Sequence, residues 1–478
     1  MSEAAKPESE RRKFRAIKGT RDILPPDSAL WNWFEKAARS VMESYNFGEI
    51  RTPIFEETEL FARSVGSDTD IVSKEMFTFP VVPSAHELAL NLFEGQQQFN
   101  QEGDFVSTDD AQRFREEKAG KLVSLRPEAT ASVCRAYIEH GMHTRAGDQK
   151  LYYIGPMFRR ERPQKGRYRQ FYQIGAEVLG TSDVPAIDAE LIEMLTVLLE
   201  RCQIEKYTLL INSIGCADCR PKYVELLRAK LREPEIFSKL GADSQRRVET
   251  NPLRVMDSKL PEEQEIIEQK LPKISEHLCA DCKTHYEKLK KELKLREVLF
   301  TESPRLVRGL DYYMRTTFEI TSPILGAQNA LCGGGRYDGL VEMLGGPKGI
   351  KGIGFALGED RFIDAIQEAK KIHATRPVDV FVAWMGERAY PTAVRLARVL
   401  RGEKHTVELP PEETKFRKAL ERADKMGARY VLIIGEDEIA SDMLTIKRLA
   451  DGKQEKISEE ALVDFFRPPV PSKEGPGN

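Results

Sequence analysis

Between Leu151 and Leu179 two extended runs flank a charged loop, and in the second run polar and apolar positions alternate. Phe171, Gln173, Gly175 and Glu177 fall on one side and Tyr172, Ile174, Ala176 and Val178 on the other, because successive side chains of a strand leave opposite faces. The pattern predicts a hairpin with one apolar face and one polar, aromatic face. A solvated hairpin with a charged tip would account for the loop, but it leaves Gln173 and Glu177 unexplained on one face of a central strand.

Elsewhere the spacing changes to that of helices. Leu30, Phe34, Ala37, Val41 and Tyr45 predict a helix with Asp27 or Ser28 as N-cap, ending near Gly48. A strand from Glu49 to Ile54 is expected next, and Pro53 within it points to an edge, a bulge or a subunit boundary. Leu122–Thr130 reads as a strand running into a helix from Ala131 to His140, and Ala186–Cys202 as a helix before a strand at Tyr207–Ile211. From Gly215 to about Pro304 the chain is charge-rich and helical, an inserted domain over 213–303 between parts of one domain at 14–212 and 304–372. Strand-like sequence resumes at Leu306, through Tyr313, and at Thr317–Ile320. The helix around Glu359–Ala369 follows, after glycine clusters at 332–339 and 352–358. After a linker at His373–Pro377, runs at Val378–Ala383 and Tyr430–Ile434 alternate with helical runs at Pro391–Arg401 and Lys415–Met426, an α/β domain over 373–467. Residues 1–13 and 468–478 are expected to be disordered, and Pro83–Lys121 to be a partly helical, partly mobile insertion.

Composition narrows the classes. With 73 basic and 76 acidic residues the formal net charge is -3, so contact with nucleic acid must come from local patches. No apolar run approaches the roughly 20 residues that cross a bilayer, and the N-terminus has no apolar signal core, so a cytoplasmic location is expected. One basic patch is the hairpin loop, with Arg159, Arg160, Arg162, Lys165, Arg167 and Arg169 around Glu161, a density suited to phosphates. The glycine clusters fit neither a P-loop nor a dinucleotide fingerprint, so a nucleotide site here would be built on a sheet. Cys134, Cys202 and Cys332 stand singly in apolar contexts, as inert buried thiols do. Cys216-Ala-Asp-Cys219 and Cys279-Ala-Asp-Cys282 are two knuckles that together could bind a structural zinc ion; alternatively they are surface thiols that never meet.

Six segments in order, GTRDILP, LRPEAT, FRRERPQKGRYRQF, RGLDYY, GGGRYDGL and GFALGEDRF, resemble the motifs of the histidyl-tRNA synthetases, within the class II aminoacyl-tRNA synthetases. The resemblance runs from Ile17 to about Phe466. It implies an α+β fold: an antiparallel sheet with flanking helices, an inserted helical domain and a C-terminal α/β anticodon-binding domain. It also implies a homodimer, with the segment ending at Pro53 at the dimer interface. The implied reaction joins histidine to ATP, which is used with Mg2+, and passes the histidyl group to tRNA(His). By resemblance, Arg159 and Arg308 flank the α-phosphate and Arg361 holds the far phosphates. Phe171 stacks on adenine. Glu128, Thr130 and Gln173 hold the amino group and backbone of histidine, while Glu177 and Tyr313, with Tyr312 beside it, read the imidazole. Arg162 and Gln164 meet the acceptor end of the tRNA. The bland readings are surface ion pairs for the arginines, aromatic core for Phe171, Tyr312 and Tyr313, and a mobile solvated loop for Arg162 and Gln164. Ala129 stands where the family usually has glycine, so a positive φ there would be strained. Two alternatives compete: a regulatory paralogue tied to histidine biosynthesis, and a synthetase for proline or threonine. The first lacks the anticodon domain and RGLDYY, which are present here; RGLDYY and Glu177 weigh against the second.

Overall fold

The computed structural model describes residues 14–66, 69, 71–80, 122–164, 166–258, 260–308, 312–369 and 378–466. The two ends expected to be disordered, the Pro83–Lys121 insertion and the His373–Pro377 linker lie outside the described residues. The chain divides between His373 and Ala374 into two compact units. No described helix is long and apolar enough to cross a membrane.

In chain order the strands of the first unit are β1 Gly48–Glu49, β2 Phe55–Glu57, β3 Thr78–Pro80, β4 Leu122–Leu125, β5 Gln149–Phe158, β6 Gln170–Gly180, β7 Thr208–Ser213, β8 Thr301–Glu302, β9 Met314–Thr321, β10 Ala330–Arg336 and β11 Lys351–Gly358. Eight of them form one sheet in the order β1-β5-β6-β11-β10-β9-β7-β8. Every pair from β5 to β7 is antiparallel, and only the two-residue edge strands β1 and β8 run parallel to their neighbours. β2, β4 and β3 make a separate three-stranded sheet. The β5–β6 hairpin pairs from Gln149–Leu179 to Phe158–Gln170, so the charged loop is its tip.

β6 is covered on both faces: Ile174, Ala176 and Val178 are buried, and so are Gly175 and Glu177 between them, while Tyr172 is half-buried. The helix Glu359–Ala369 packs on β6 and on the helix Asp27–Ser44, where the rings of Phe34 and Phe362 stack 5.3 Å apart. Asp27–Ser44 also packs on Pro185–Arg201. Its buried stripe is Leu30, Trp31, Phe34, Ala37, Ala38, Val41 and Met42, and each large apolar side chain so covered contributes about 1.5–3 kcal/mol.

Several boundaries differ from the sequence reading. The first helix begins at Asp27 itself with Pro26 in the capping position; proline presets a helical φ, and the carboxylate of Asp27 faces the positive end of the helix from its first turn. The strand expected over Glu49–Ile54 is two short pieces, β1 and β2, with different partners, and Pro53 lies between them. Leu306–Tyr313 is not a strand among the described residues, since β9 starts at Met314. Tyr312 and Tyr313 are both buried, with ring centroids 4.7 Å apart, whereas a strand would send them to opposite faces. The stretch Gly215–Pro304 is helical, as its composition suggests, apart from β8. It shares one apolar core with the rest of the first unit, Tyr223, Leu227 and Leu231 belonging to the same cluster as Ala129, Tyr312 and Tyr313.

The second unit is a five-stranded sheet of β12 Val380–Trp384, β13 Val407–Glu408, β14 Tyr430–Ile434, β15 Met443–Arg448 and β16 Gln454–Ser458, in the order β13-β12-β14-β15-β16. Val380, Val382 and Trp384 share a core with the helix Ala389–Gly402, while Phe381 and Ala383 share one with the helix Phe416–Lys425. Both faces are covered, which is why β12 reads as an unbroken apolar run.

Candidate active site

The strand registers place chemistry on one face of the large sheet. Glu177 of β6 lies opposite Gly354 of β11, which lies opposite Gly335 of β10, opposite Thr317 of β9. The next row on that face is Tyr153, Gly175, Ala356, Gly333 and Glu319, and Gly155, Gln173 and Gly358 lie in the row beyond. The centre of the sheet therefore carries only glycine and alanine, walled by polar side chains of β5, β6 and β9.

That small-residue floor lets large side chains lie across it. A methyl at Gly354 would sit 1.5 Å from Oε2 of Glu177, one at Gly333 2.4 Å from the Arg308 guanidinium, and one at Gly335 3.0 Å from the Tyr313 ring. All these glycines are in extended strand; close approach, not unusual φ, requires them.

Glu177 is 1 % exposed. Its Oε1 accepts from the Thr130 hydroxyl at 2.7 Å and its Oε2 from the Tyr337 hydroxyl at 2.6 Å. Burial pushes its carboxyl up to about 8, opposed by these two donors and reinforced by Glu128. Glu128 closes the N-terminus of the helix Thr130–Glu139, accepting from the N–H groups of Thr130 at 2.7 Å and Ala131 at 3.0 Å. Burial raises its carboxyl as well, against the pull of those N–H groups. Each oxygen retains a lone pair for a further donor. Ala129 between them has φ −115, an ordinary value, so the alanine in LRPEAT introduces no strain.

Tyr312 meets Tyr337 edge-on at 5.7 Å, which joins the two tyrosines of RGLDYY to the Glu177 cluster. Arg308 reaches Glu319 from Nη1 at 2.5 Å. Arg159 donates from Nε to the carbonyl of Pro127 at 3.0 Å, and its guanidinium lies 5.3 Å from the centroid of Phe171. Arg361 donates from Nη1 to the carbonyl of Ala330 at 2.8 Å. Burial lowers its affinity for its proton, and so do Arg167 and Arg159, with Glu161 opposing. Arg159 and Arg361 are thus near enough to repel one another, and Glu319, the partner of Arg308, also acts on Arg361, so the three guanidinium groups are tied to one end of the face by shared neighbours.

Among the described residues, four buried atoms on or over this face, Tyr153 Oη, Gln173 Oε1, Thr317 Oγ1 and Arg308 Nε, have no hydrogen-bond partner. An unmade buried hydrogen bond costs about 1–3 kcal/mol, so these four groups have the capacity to take further partners. Arg162 and Gln164 lie elsewhere, exposed in the loop, where Gln164 bridges only to the backbone of Arg167. Lys165 lies outside the described residues.

Sequence reasoning missed three supports. Tyr337 stood unread in the segment GGGRYDGL, and its role appears only once β10 is aligned with β11. Arg126 of LRPEAT donates from Nε to the Pro156 carbonyl at 2.9 Å and from Nη1 to Thr52 Oγ1 at 2.8 Å, tying β4 to β5. Arg21 of GTRDILP pairs with Asp360 at 2.6 Å, and Asp360 accepts the N–H of Tyr172 at 3.1 Å, so the N-terminal motif braces β6. The four cysteines of the two knuckles come together, every Sγ within 4.8 Å of the others.

Known proteins carry the same pattern. Residues 86–361 match the family model described as histidyl-tRNA synthetase, and residues 379–468 one described as anticodon binding domain. The histidine–tRNA ligase of Koribacter versatilis is 50% identical over 457 residues, covering 95% of this chain and 96% of its own, and that of Solibacter usitatus is 47% identical, covering 94% and 97%. The crystal structure of apo S. aureus histidyl-tRNA synthetase superposes with a TM-score of 0.71 at 33% identity, covering 95% of this chain and all of its own. On the sheet, its polar face and these matches, the chain belongs to the histidyl-tRNA synthetase family.

Proposed function

We propose that the polar face of the large sheet performs both steps of histidine–tRNA ligation, with the roles divided among the residues it gathers. A carboxylate oxygen of histidine attacks the α-phosphorus of ATP and pyrophosphate leaves. A ribose hydroxyl at the 3′ end of tRNA(His) then attacks the histidyl carbonyl carbon and AMP leaves. Neither step needs a nucleophile from the protein, so catalysis rests on positioning and on charge that meets the transition state. Arg159 and Arg308 are assigned to the α-phosphate, Arg361 to the distal phosphates and Phe171 to adenine. The Mg2+ that travels with ATP is part of the substrate.

The observation that carries this reading is Glu177, buried and held by Thr130 and Tyr337 beside the Tyr312–Tyr313 pair. An imidazole offers one donor and one acceptor, which a carboxylate and a phenol can read from two sides. An incoming N–H or imidazolium also relieves the penalty on the charged form of Glu177. Glu128, Thr130 and Gln173 would take the amino group and backbone of histidine, and Arg162 and Gln164, exposed at the hairpin tip, the acceptor end of the tRNA. A regulatory role without ligation would leave the three gathered arginines without a purpose.

A homodimer is part of this proposal. Phe55 and Phe79 lie on one face of the small sheet, opposite Leu125 and Val123 of β4, and remain exposed, as does Ile54 beside it, a patch suited to a second copy of the chain. The decisive experiment is ATP–pyrophosphate exchange with each amino acid in turn. Exchange is expected with histidine alone, and Arg308→Ala should lower its rate by about a thousandfold, a loss of the order seen when one charge-stabilising donor is removed. Exchange supported by another amino acid would refute the specificity.

A further inference from the structure

We propose that Cys216, Cys219, Cys279 and Cys282 bind one zinc ion, and that this ion fixes Arg220 against the loop carrying Tyr312 and Tyr313. The site thereby sets the affinity for histidine from outside the pocket. The inference rests on the assignment of Tyr313 to imidazole recognition.

The sulfur positions support a tetrahedral ion. Cys216 Sγ lies 3.7 Å from Cys219 Sγ and 3.8 Å from Cys279 Sγ, and Cys219 Sγ lies 3.9 Å from Cys282 Sγ. Four thiolates about 2.3 Å from a zinc ion stand about 3.8 Å apart in a tetrahedron, whereas a disulfide needs about 2.05 Å. All seven cysteines are free.

The surroundings are built for thiolates. Cys219 and Cys279 are the N-caps of the helices Arg220–Leu231 and Ala280–Leu295, so two positive helix ends face the sulfurs. The N–H of Cys216 donates to Cys219 Sγ at 3.3 Å. Gly215, at φ +74, leaves the space beside that sulfur, where a methyl would come within 2.8 Å. Four protein ligands leave no open coordination position, so the ion would be structural.

The consequence for the active site follows from the next residue. Arg220 donates from Nη1 to the carbonyl of Tyr313, and it lines one cleft with Ile214, Val307 and Arg308. The backbone leading into the first knuckle is tied to β9 as well, since Ile214 donates to the Arg315 carbonyl at 2.8 Å and Arg315 donates to that of Gly215 at 2.7 Å. Binding an ion at the knuckles therefore holds the start of the Arg220 helix, and with it the backbone carbonyl of Tyr313. Arg220 is a positioning residue, since it acts through Tyr313.

The test uses the full-length protein purified without chelator. Elemental analysis should find about one zinc per chain, falling to near zero in Cys279→Ser. Protein produced with Co2+ in place of zinc should show the d–d and sulfur-to-cobalt absorption of a tetrahedral four-thiolate site. Arg220→Ala should keep its zinc and raise KM for histidine about tenfold or more, with KM for ATP within about twofold, as expected when one recognition group is misplaced. Native protein without metal, or cobalt protein with an octahedral spectrum, would overturn the site. Zinc present with an unchanged histidine KM in Arg220→Ala would overturn the coupling. Absence of histidine-dependent exchange in zinc-loaded native protein would instead refute the assignment of the pocket.

Discussion

Glu177 is the residue on which the proposed histidine specificity rests. It is buried, accepts from Thr130 and Tyr337, and carries a carboxyl pushed up to about 8 by burial. Glu177→Gln keeps the shape and a hydrogen-bonding oxygen but removes the charge that an imidazole N–H can meet. We expect kcat/KM for histidine to fall by about a hundredfold, equivalent to about 2.7 kcal/mol, with KM for ATP little changed. A fall below about threefold would show that the carboxylate does not read the imidazole. The residue type and its face were legible from alternation alone. Its partners were not, because Thr130 and Tyr337 lie 47 and 160 residues away and meet it only through tertiary packing, Tyr337 through the register of β6, β11 and β10 and Thr130 from the start of a helix outside that sheet. The glycines suffered the same limit: their density was visible, but not that Gly354 makes room for Glu177 or Gly333 for Arg308.

Among the elements, the contact between the helices Asp27–Ser44 and Glu359–Ala369 holds an unadvertised liability. Glu359 is fully buried at the start of the second helix, and neither of its oxygens has a hydrogen-bond partner among the described residues. Burial raises its carboxyl to about 9; Glu35 and Asp360 add to this and Arg39 opposes them. Its folded value lies above its unfolded value, so its protonated form supports the fold fully below about 4.5. That support is lost as pH rises through about 9. Stability of the wild type should therefore fall between neutral pH and pH 9, by at most about 1.4 kcal/mol per pH unit for this one proton. Glu359→Gln should flatten that decline, while titration of Glu177 continues in both proteins. Parallel melting-temperature curves for wild type and variant across this range would refute the assignment. Sequence patterning had placed the helix correctly but gave no hint of this carboxyl, since a glutamate in the first helical turn ordinarily faces water. Short edge strands were misread for a related reason. β1 and β2 are two and three residues long, too short for alternation to register, and non-local pairing alone defines them.

At the scale of the whole molecule, the small sheet connects the proposed dimer face to the proposed histidine site. β4 runs from the exposed patch directly into Arg126, Glu128 and Thr130, and Arg126 bonds to Thr52, Pro53 and Pro156. Arg135, in the helix that Glu128 caps, pairs with Glu56 of β2 at 2.6 Å. A second copy seated on Phe55 and Phe79 would thus brace the segment that presents Glu128 and Thr130 to histidine. A symmetric dimer uses each phenylalanine twice, and burying each contributes about 1.5–3 kcal/mol, so losing all four costs about 6–12 kcal/mol. The double variant Phe55→Asp, Phe79→Asp should then weaken dimerisation by a factor of at least about 10,000, which sedimentation over a concentration series would measure. If the brace acts as described, histidine-dependent exchange should fall in step with the dimer fraction and recover as concentration rises. The circular dichroism spectrum should stay unchanged. Full exchange activity in a sample that sediments as monomer would break the link between the two faces of β4, and would leave the active site self-sufficient in one chain.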